Sequence, residues 1–415
     1  MTLREFRQIG HWPTLVVSTL YFGVTCTVWL LLGGLANTIG PEFGLSQLEL
    51  GLLVALPSLG GALLRLVLGV LTDRIGARRT GLLSLVLTLA PLLLGWQWAD
   101  NYNKLLLVAA LLGVAGASFA VAMPLTSRWY PSKHQGLAMG IVGLGYVGTA
   151  VVIGLGPRMA SSIGWQGVFG AALIPVIAML AVFFFFAKDS PNQSAPKKWS
   201  DYATTLKDLD TLRFCLFYGV TFGGFVGLSS FLSIYFVSQH GLSRVSAGIC
   251  ATACILAGSL LRPVGGYIAD RIGGVSLLTV LYAGIGLLML DLSTTPPLVW
   301  TVVLSITIMA MLGLGNGAVF QLVPQRFPRE IGVVTGIVGA AGGLGGFALP
   351  ILLGGIHHLT GSFSGGFLLL ALISFGSIGV LVSASQNWEG VFFAKGGLAH
   401  SGQQIADGNR LAATR

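Results

Sequence analysis

The fold of this chain is decided by the stretch Gly61-Ala-Leu-Leu-Arg65-Leu-Val-Leu-Gly69-Val-Leu-Thr-Asp73-Arg74-Ile-Gly76. It recurs 197 residues later (262 minus 65) as Gly258-Ser-Leu-Leu-Arg262-Pro-Val-Gly-Gly266-Tyr-Ile-Ala-Asp270-Arg271-Ile-Gly273, with ten of sixteen positions identical. A repeat this dense, about half the chain apart, indicates that the chain consists of two halves related by duplication.

The composition places most of the chain in a lipid bilayer. Hydrophobic residues make up 54% of the 415 residues and charged residues only 9%, against about 25% charged residues in ordinary globular proteins. This excludes a soluble enzyme of any common kind, and the high hydrophobicity also excludes a disordered chain. The four cysteines lie in apolar runs without metal-ligand spacing, so we interpret them as core residues and expect no metal and no other cofactor.

Twelve apolar segments are found with a window of about 20 residues, the length that spans a bilayer. They cover 13–36, 48–71, 80–98, 104–127, 136–158 and 165–187, then 213–238, 246–268, 275–293, 298–322, 333–356 and 363–385. The predicted fold is therefore all-α and integral to the membrane. We predict an N-terminal six-helix half over 1–187, a cytoplasmic linker over 188–212, a C-terminal six-helix half over 213–385 and a polar cytoplasmic tail over 386–415.

The basic residues predict the orientation of the chain. Of the 23 lysines and arginines, 18 fall on the side that holds both termini and the linker, whereas the opposite loops hold only Lys104, Arg158 and Arg244. By the positive-inside rule, both termini face the cytoplasm. The net charge of +9 thus reports topology and predicts no nucleic-acid partner, because no basic stretch is interleaved with aromatic residues.

The last two basic residues, Arg65 and Arg262, lie inside apolar spans at equivalent places in the two halves. Eight residues separate Arg65 from Asp73 at the end of its span, roughly 12 Å of helix, which is more than a side chain can bridge by snorkelling. None of the fourteen Asp and Glu residues falls in the middle of a span. Each buried arginine costs at least about 2.5 to 3.5 kcal/mol at a helix centre, so both need a partner that the acidic residues do not supply.

Two interpretations of these arginines follow. Backbone carbonyls and water could satisfy them, or their counter-ion could be the substrate. Two facing guanidiniums between pseudo-symmetric halves would hold a small anion with planar, forked hydrogen bonds. We therefore predict that Arg65 and Arg262 bind an anionic substrate.

The loop after the second span, Asp73-Arg74-Ile-Gly76-Ala-Arg78-Arg79, resembles the loop signature of the major facilitator superfamily. The copy that ends at Gly273 occupies the matching place in the second half but lacks the trailing basic pair. The resemblance implies the major facilitator fold, with twelve transmembrane helices in two halves, and function as a monomer. An Asp that closes one helix can accept hydrogen bonds from the N-terminus of its neighbour, and the alternative is an ordinary surface turn. The candidate gating residues are Asp73, Arg74, Arg78, Asp270 and Arg271.

Two glycine-rich runs resemble the nitrate/nitrite porter family, which carries one such signature in each half. They are Gly136-Leu-Ala-Met-Gly140-Ile-Val-Gly143-Leu-Gly145-Tyr146-Val-Gly148 and Gly332-Val-Val-Thr-Gly336-Ile-Val-Gly339-Ala-Ala-Gly342-Gly343-Leu-Gly345-Gly346. The resemblance extends over residues 10 to 390. Glycines at this spacing give a helix a smooth face that lets the halves slide closely, and the alternative is ordinary tight packing. The candidate pore-lining glycines are Gly140, Gly143, Gly145, Gly148, Gly336, Gly339, Gly342, Gly343 and Gly346.

The same resemblance implies that aromatic rings hold the planar anion. Phe119 matches the family's aromatic residue in the fourth helix, and Tyr218 and Phe222 match the pair in the seventh. The four-residue spacing of that pair predicts that both rings lie on one helix face. Rings on either side of a flat anion would select nitrate or nitrite over tetrahedral sulfate or phosphate, and packing against lipid or core is the alternative.

One polar position departs from the family pattern. The fifth-helix signature of the family has Asn where this chain has Tyr146. A Tyr hydroxyl can still donate a hydrogen bond to the anion, but it is longer and would reshape the pocket. We predict that Tyr146 binds the substrate and alters its preference. A second polar residue, Asn316, lies in the tenth span within Leu312-Gly-Leu-Gly-Asn316-Gly.

The predicted function is secondary active transport of nitrate and/or nitrite across the bacterial cytoplasmic (inner) membrane, by a protein that is not an enzyme. Exchange of one anion for another is the simplest mechanism, because the spans hold no central carboxylate and His357 and His358 fall at the extracytoplasmic end of the eleventh span. Proton-coupled uptake stays open, as does a carrier for nitrite alone, cyanate or a short carboxylate. A membrane enzyme would need a catalytic cluster at one depth, and an anion sensor would need an output module longer than residues 386–415.

Overall fold

The structure, a computed structural model, describes residues 10–130, 132–191, 204–327 and 331–398. Residues 1–9, residues 192–203 of the predicted linker and residues 399–415 of the predicted tail lie outside the described residues. The helices are Trp12–Trp29, Leu31–Phe43, Gln47–Ile75, Ala77–Gln97, Tyr102–Gly116, Phe119–Ser127, Ser132–Gly143, Leu144–Tyr146, Val147–Phe186, Leu209–Tyr218, Gly219–Gly223, Gly224–His240, Arg244–Ile272, Gly274–Ser293, Leu298–Arg326, Ile331–Thr360, Ser364–Trp388 and Lys395–Gly397.

Eleven helical stretches within the described ranges are long and apolar enough to cross a membrane. One of them, Ala138–Phe186, has 49 residues, which at about 1.5 Å per residue is more than twice the thickness of a hydrocarbon core. Gly164 interrupts it with φ 73° and ψ 160°, a conformation that favours glycine. This stretch therefore crosses twice, and the prediction of twelve spans in an all-helical membrane protein is confirmed.

Two spans differ from the prediction in length and in regularity. The first extends to Phe43 and contains a non-helical residue, Leu30, with φ −100° and ψ 21°. The seventh begins at Leu209, after an N-cap in which the Asp208 side chain accepts from the Asp210 N–H, and it contains the π-helical turn Gly219–Gly223. A hydropathy window registers neither N-caps nor π-turns, because both depend on backbone hydrogen bonds.

Glycines allow matching spans in the two halves to approach at backbone distance. A Cβ at Gly113 of the fourth span would lie 2.3 Å from the carbonyl carbon of Gly60 in the second. In the other half, a Cβ at Gly313 of the tenth span would lie 2.0 Å from the carbonyl oxygen of Gly258 in the eighth. Small residues at helix contacts are the usual device for close packing in membranes. Here they allow the second span, which carries Arg65, to pack closely on the fourth, and the eighth span, which carries Arg262, to pack closely on the tenth.

The two halves meet along the second and eleventh spans. A Cβ at Gly51 would lie 2.6 Å from the Pro350 oxygen, and one at Gly343 would lie 2.8 Å from the Ala62 Cβ. Val70 of the second span packs with Val333 and Ile337 of the eleventh. We call the end of the molecule that carries the Asp73 and Asp270 loops the basic end. The contacts between the halves thus run from the opposite end, past the middle of the membrane, to the basic end.

At the basic end, the chain that follows the last span of each half folds back onto the same loop of that half. After the sixth span, the Asp189 carboxylate packs against Gly76, where an added Cβ would lie only 2.7 Å from its oxygen. The same carboxylate accepts a hydrogen bond from the Arg78 N–H at 2.9 Å. After the twelfth span, the Gly396 carbonyl meets Gly273, and Gln321 donates to the Gly397 carbonyl at 3.3 Å. The described part of the predicted tail is therefore packed against the second half.

The beginning of the first span joins this packing. The His11 ring stacks on Trp129 and accepts from the Thr14 N–H at 3.2 Å. Partial burial and the neighbouring Lys188 lower the pKa of His11, which favours the neutral ring that can accept this bond. Trp129 in turn donates to the Lys188 carbonyl at 3.0 Å. Trp129 therefore contacts both the residue before the first span and a residue that follows the sixth.

Candidate anion-binding site

Arg65 lies in the interface between the halves and is 3% exposed. Its Nη1 donates to the Gly339 carbonyl of the eleventh span at 2.6 Å, and its Nε donates to the Gly116 carbonyl of the fourth span at 3.2 Å. Its Nη2 is buried without a partner. The backbone-carbonyl interpretation therefore accounts for part of this guanidinium, and one edge is left with unused N–H groups.

Arg262 is less well satisfied than its counterpart. Its Nε and Nη2 are buried, and neither has a hydrogen-bond partner. The repeat equates Gly313 with Gly116, whose carbonyl binds the Nε of Arg65, but Nε of Arg262 makes no such bond. Both guanidiniums therefore present buried, unpaired donors at mid-span, a costly arrangement unless a ligand completes it.

No carboxylate partners either arginine among the residues that the structure describes. The ion pairs there join Lys104 to Asp100, Arg128 to Asp73, Arg213 to Asp210, and Arg326 to Asp208 and Asp210. All of them involve residues at span ends or in loops. The positive charge at the centre of the interface is thus uncompensated by described acidic residues, as expected for a site that takes an anion.

Aromatic rings surround both guanidiniums, and the Phe222 ring contacts both of them. Its centroid lies 5.2 Å from Cζ of Arg65 and 5.3 Å from Cζ of Arg262. Tyr218 stacks on Phe222 with centroids 4.9 Å apart and planes 4° apart. The structure therefore brings Tyr218 and Phe222 to one face, but they stack directly on each other and leave no room for an anion between them. Any small anion bound at this site would therefore lie beside the stacked pair and not between its rings.

Phe119 lies near Arg65, with 5.7 Å between its ring centroid and Cζ. An aromatic residue that the sequence did not single out, Phe320 of the tenth span, links it to the seventh span. Phe320 is 6.4 Å from Phe119 and 4.8 Å from Tyr218, centroid to centroid. Trp29 and Phe225 were also missed, although their rings face Arg65 at 5.3 Å and Arg262 at 4.6 Å. Their signal in the sequence was weak because aromatic residues are common in spans.

Tyr146 covers Arg262. Its ring centroid lies 4.3 Å from Cζ of Arg262, the residue is 0% exposed, and its hydroxyl is buried without a partner. It occupies the short helical turn Leu144–Tyr146, where the fifth span departs from α-helical geometry. A ring against a guanidinium is a favourable contact, whereas a buried hydroxyl without a partner is not. The structure therefore places a second type of unused donor beside the arginines.

The predicted pore-lining glycines divide into two sets by what a Cβ would meet. At Gly143 and Gly339 it would meet open space, and at Gly140 only the edge of Pro263 at 3.7 Å. At five of the other predicted glycines it would strike a neighbouring span at 2.0 to 2.8 Å. This second set comprises Gly145, Gly148, Gly342, Gly343 and Gly346. The second set therefore permits close packing between spans, whereas Gly143 and Gly339 have open space beside them and their pore-lining role stays a prediction. Gly336 lies one turn before Gly339 in the helix Ile331–Thr360.

The predicted gating residues make contacts different from those expected. Asp73 binds Arg128 of the fourth span at 2.5 Å, whereas the N-terminus of the third span is bound by Asp189, a residue assigned to the linker. Arg78 donates from Nη2 to the Phe184 carbonyl at 2.6 Å. In this structure the described partner of Asp73 is thus Arg128, and the gating role of Asp73 stays a prediction.

The second half lacks the corresponding ion pair. The repeat equates Arg128 with Gln325, which donates to the Gln321 carbonyl on its own helix at 3.0 Å. Among the described residues, the second half therefore has no counterpart of the Asp73–Arg128 pair, and its ion pairs at the basic end include those that join Arg326 to Asp208 and Asp210.

The other predicted gating residues make few contacts. Asp270 is exposed and makes no ion pair with any described residue, and Arg271 stacks on Tyr267 of its own helix. Arg74 is exposed.

Replacing Asp73 with Asn is expected to destabilise the protein by about 3 kcal/mol, the lower range for removing one partner of a largely buried pair. The side chains of Asp73 and Arg128 are only 17% and 15% exposed. Melting in detergent by intrinsic fluorescence measures the effect, with Asp100→Asn as the matched control. Asp100 is 69% exposed in its pair with Lys104, so its loss is expected to change little. Equal melting temperatures for the two variants would contradict the prediction.

The sequence of this chain is similar to those of known transport proteins. A sequence model of the Major Facilitator Superfamily matches residues 17–350. A "Nitrite extrusion protein" of Bacillus subtilis is 33% identical over 86% of this chain and 90% of its own length. A "Probable nitrate/nitrite antiporter NarK1" of Thermus thermophilus is 36% identical over 86% and 88%. A "Probable nitrate transporter NarT" of Staphylococcus carnosus is 37% identical over 86% and 92%.

A solved structure supports the fold. The chain superposes with a TM-score of 0.67 on a bacterial homologue of the human lysosomal transporter Spinster, which was crystallised in an inward-facing, occupied conformation. The superposition covers 93% of this chain and 98% of that one, at 18% identity. The two chains therefore share the same overall fold.

Proposed function

The chain belongs to the nitrate/nitrite porter family of the major facilitator superfamily, and from this we propose that it carries nitrate or nitrite across the bacterial cytoplasmic membrane by alternating access. It is a carrier and not an enzyme. We further propose that the basic end faces the cytoplasm, in accord with the positive-inside rule. A single chain is sufficient for transport in this proposal, because one chain supplies both arginines.

One observation carries the proposal. Nη2 of Arg65, and Nε and Nη2 of Arg262, are buried N–H donors without partners, and both guanidiniums lie within 5.3 Å of the centroid of the Phe222 ring at the interface of the halves. A small planar anion with three acceptor oxygens matches such donors better than a single-atom ion does. Aromatic walls exclude water and leave the anion to the guanidiniums, which strengthens their interaction.

The contacts around the site support alternating access. On the side away from the basic end, the halves are joined by hydrogen bonds from Asn37 to Ser233 and from Gln47 to Ser238, at 2.8 and 2.9 Å. Toward the basic end, the described contacts include the small apolar cluster of Val70, Val333 and Ile337. Apolar side chains of this kind separate without leaving unpaired polar groups. We propose that this cluster opens when the carrier faces the cytoplasm.

The unpaired donors also favour exchange over net uptake. An empty site leaves buried guanidinium N–H groups without acceptors, and this raises the energy of any closed empty state. An occupied site satisfies them and lets the halves reorient. We therefore propose nitrate/nitrite exchange as the main mode, with proton-coupled nitrate uptake as the competing mechanism.

Transport by the purified protein in proteoliposomes tests both the function and the mode. Nitrate uptake is measured with and without internal nitrite, and with and without a pH gradient. We expect internal nitrite to accelerate uptake at least about tenfold while the pH gradient has little effect. Acceleration by the gradient alone would replace exchange with proton coupling. Wild-type vesicles that take up no nitrate under any of these conditions would refute the function itself.

Replacing Tyr146 with Phe is expected to raise the KM for nitrate about tenfold, the usual effect of losing one hydrogen bond to a charged group. The ring stays on Arg262 and only the unpartnered hydroxyl is lost, so the melting temperature without anion is expected to be unchanged. Tyr282→Phe is the matched control, because the Tyr282 hydroxyl donates to the Phe217 carbonyl at 2.9 Å. That variant should lose stability and keep its KM. An unaltered KM in Tyr146→Phe would show that the hydroxyl does not contact the anion.

A further inference from the structure

Asn316 is a buried amide that the structure leaves without hydrogen bonds. The residue is 4% exposed, and both Nδ2 and Oδ1 are buried without a partner. Other buried amide groups among the described residues have one unsatisfied oxygen at most, as in Gln321 and Gln325. Leaving both atoms of an amide unpaired is costly in a protein interior, so such a group calls for a specific explanation.

The repeat places Asn316 at the site. Subtracting the offset of 197 from 316 gives 119, the position of Phe119, whose ring lies 5.7 Å from Cζ of Arg65. The equivalent position in the second half is therefore next to Arg262. The adjoining residue supports this placement, because a Cβ at Gly317 would lie 2.5 Å from the Arg262 carbonyl oxygen. The tenth span is thus in backbone contact with the eighth at the level of the second arginine.

Residues one turn away on the same helix show which way Asn316 faces. Positions four apart share a helix face, so Asn316 lies between Leu312 and Phe320. The Leu312 side chain would be 3.3 Å from a Cβ at Gly224, at the end of the π-turn, and Phe320 contacts Tyr218 at the start of that turn. Asn316 therefore faces the part of the seventh span that carries Phe222, the ring shared by both guanidiniums.

We propose that Asn316 is a ligand of the transported anion, and that its Nδ2 donates a hydrogen bond to one anion oxygen beside Arg262. The proposal rests on the proposed function and specifies its substrate class as a small planar oxyanion. Such an anion offers several acceptor oxygens in one plane, so Arg65, Arg262 and the amide can each bind a different one. The amide thus adds a neutral donor to the two charged ones.

Asn316→Leu tests the proposal because a ligand and a structural residue respond in opposite directions. Removing an unpaired buried amide is expected to leave the melting temperature without anion equal or higher. Losing a donor to the anion is expected to raise the KM for nitrate at least tenfold and to remove most of the thermal shift that nitrate produces. Asn316→Ser keeps a shorter donor and should give an intermediate KM, and it serves as the second variant if the leucine does not fold.

Ser305→Ala is the matched control. Ser305 lies on the same span, is 2% exposed, and also has an unpartnered hydroxyl, but it is eleven residues from Asn316. We expect its KM and its nitrate-dependent thermal shift to equal those of the wild type. A KM within twofold of wild type in both Asn316 variants would overturn the proposal, as would a lower melting temperature with an intact nitrate shift. Failure of the proposed function would be seen separately, since the wild type would then show neither uptake nor shift.

Discussion

Replacing either Arg65 or Arg262 with lysine is expected to lower nitrate uptake at least a hundredfold. Arg65 uses Nη1 and Nε for the Gly339 and Gly116 carbonyls and keeps Nη2 for the anion. A lysine has one nitrogen on a flexible stem, so it cannot satisfy two carbonyls and the anion in one plane. Losing one partner of a buried charged contact costs about 3 kcal/mol or more, which corresponds to over a hundredfold.

Initial rates of nitrate uptake in proteoliposomes measure this loss, normalised to the protein inserted. Arg79→Lys is the matched control, because Arg79 is exposed at the basic end and belongs to no predicted site. Its uptake should equal that of the wild type. If either lysine variant at mid-span retained more than a tenth of wild-type uptake, the two-arginine site would have to be abandoned.

Replacing Gly148 with valine is expected to prevent the protein from folding. A Cβ at this position would lie 2.0 Å from the carbonyl oxygen of Gly23 and 2.8 Å from its carbon. Backbone atoms cannot rotate away as a flexible side chain can, so the first and fifth spans would have to separate. Forced overpacking of this kind costs about 3 kcal/mol, and the branched side chain adds more atoms to the clash.

Size-exclusion chromatography of a fluorescent fusion measures the fraction that is monodisperse in detergent. The control is Gly143→Ala, in the same signature, where a Cβ meets nothing within 4 Å. This control should give a wild-type elution profile and melting temperature. Identical profiles for Gly148→Val and the wild type would mean that the two spans are not in contact at this point.

The sequence was sufficient for the number of spans, for the repeat and for the two arginines, because each has a strong local signal. Predominantly apolar windows of about 20 residues, ten identities in sixteen positions, and a charge at mid-span can all be recognised without a structure. The division between the fifth and sixth spans was also predicted, since the apolar segments 136–158 and 165–187 are separate in the sequence. The predicted boundaries of the spans were less accurate because caps such as Asp208 extend a helix into polar sequence.

The contacts of these residues were not predictable. Backbone carbonyls carry no signature in the sequence, so nothing indicated that Gly116 and Gly339 bind Arg65. Asp189 was assigned to the linker because it is charged and lies near Pro191, although it binds the Arg78 N–H. Asn316 was visible as a polar residue in a span, but its direction became clear only from the neighbours of Leu312, Gly317 and Phe320.

The hydrogen bond from Arg65 to the Gly339 carbonyl has a consequence for how this carrier can evolve. Its acceptor is a main-chain atom, so no substitution at residue 339 removes it, whereas almost any substitution would fill the space beside it. Substitutions can therefore change the aromatic side chains and Asn316 around the site more readily than they can remove the Gly339 acceptor of this hydrogen bond. Substitutions that alter substrate preference can therefore leave the hydrogen bond between Arg65 and the Gly339 carbonyl intact.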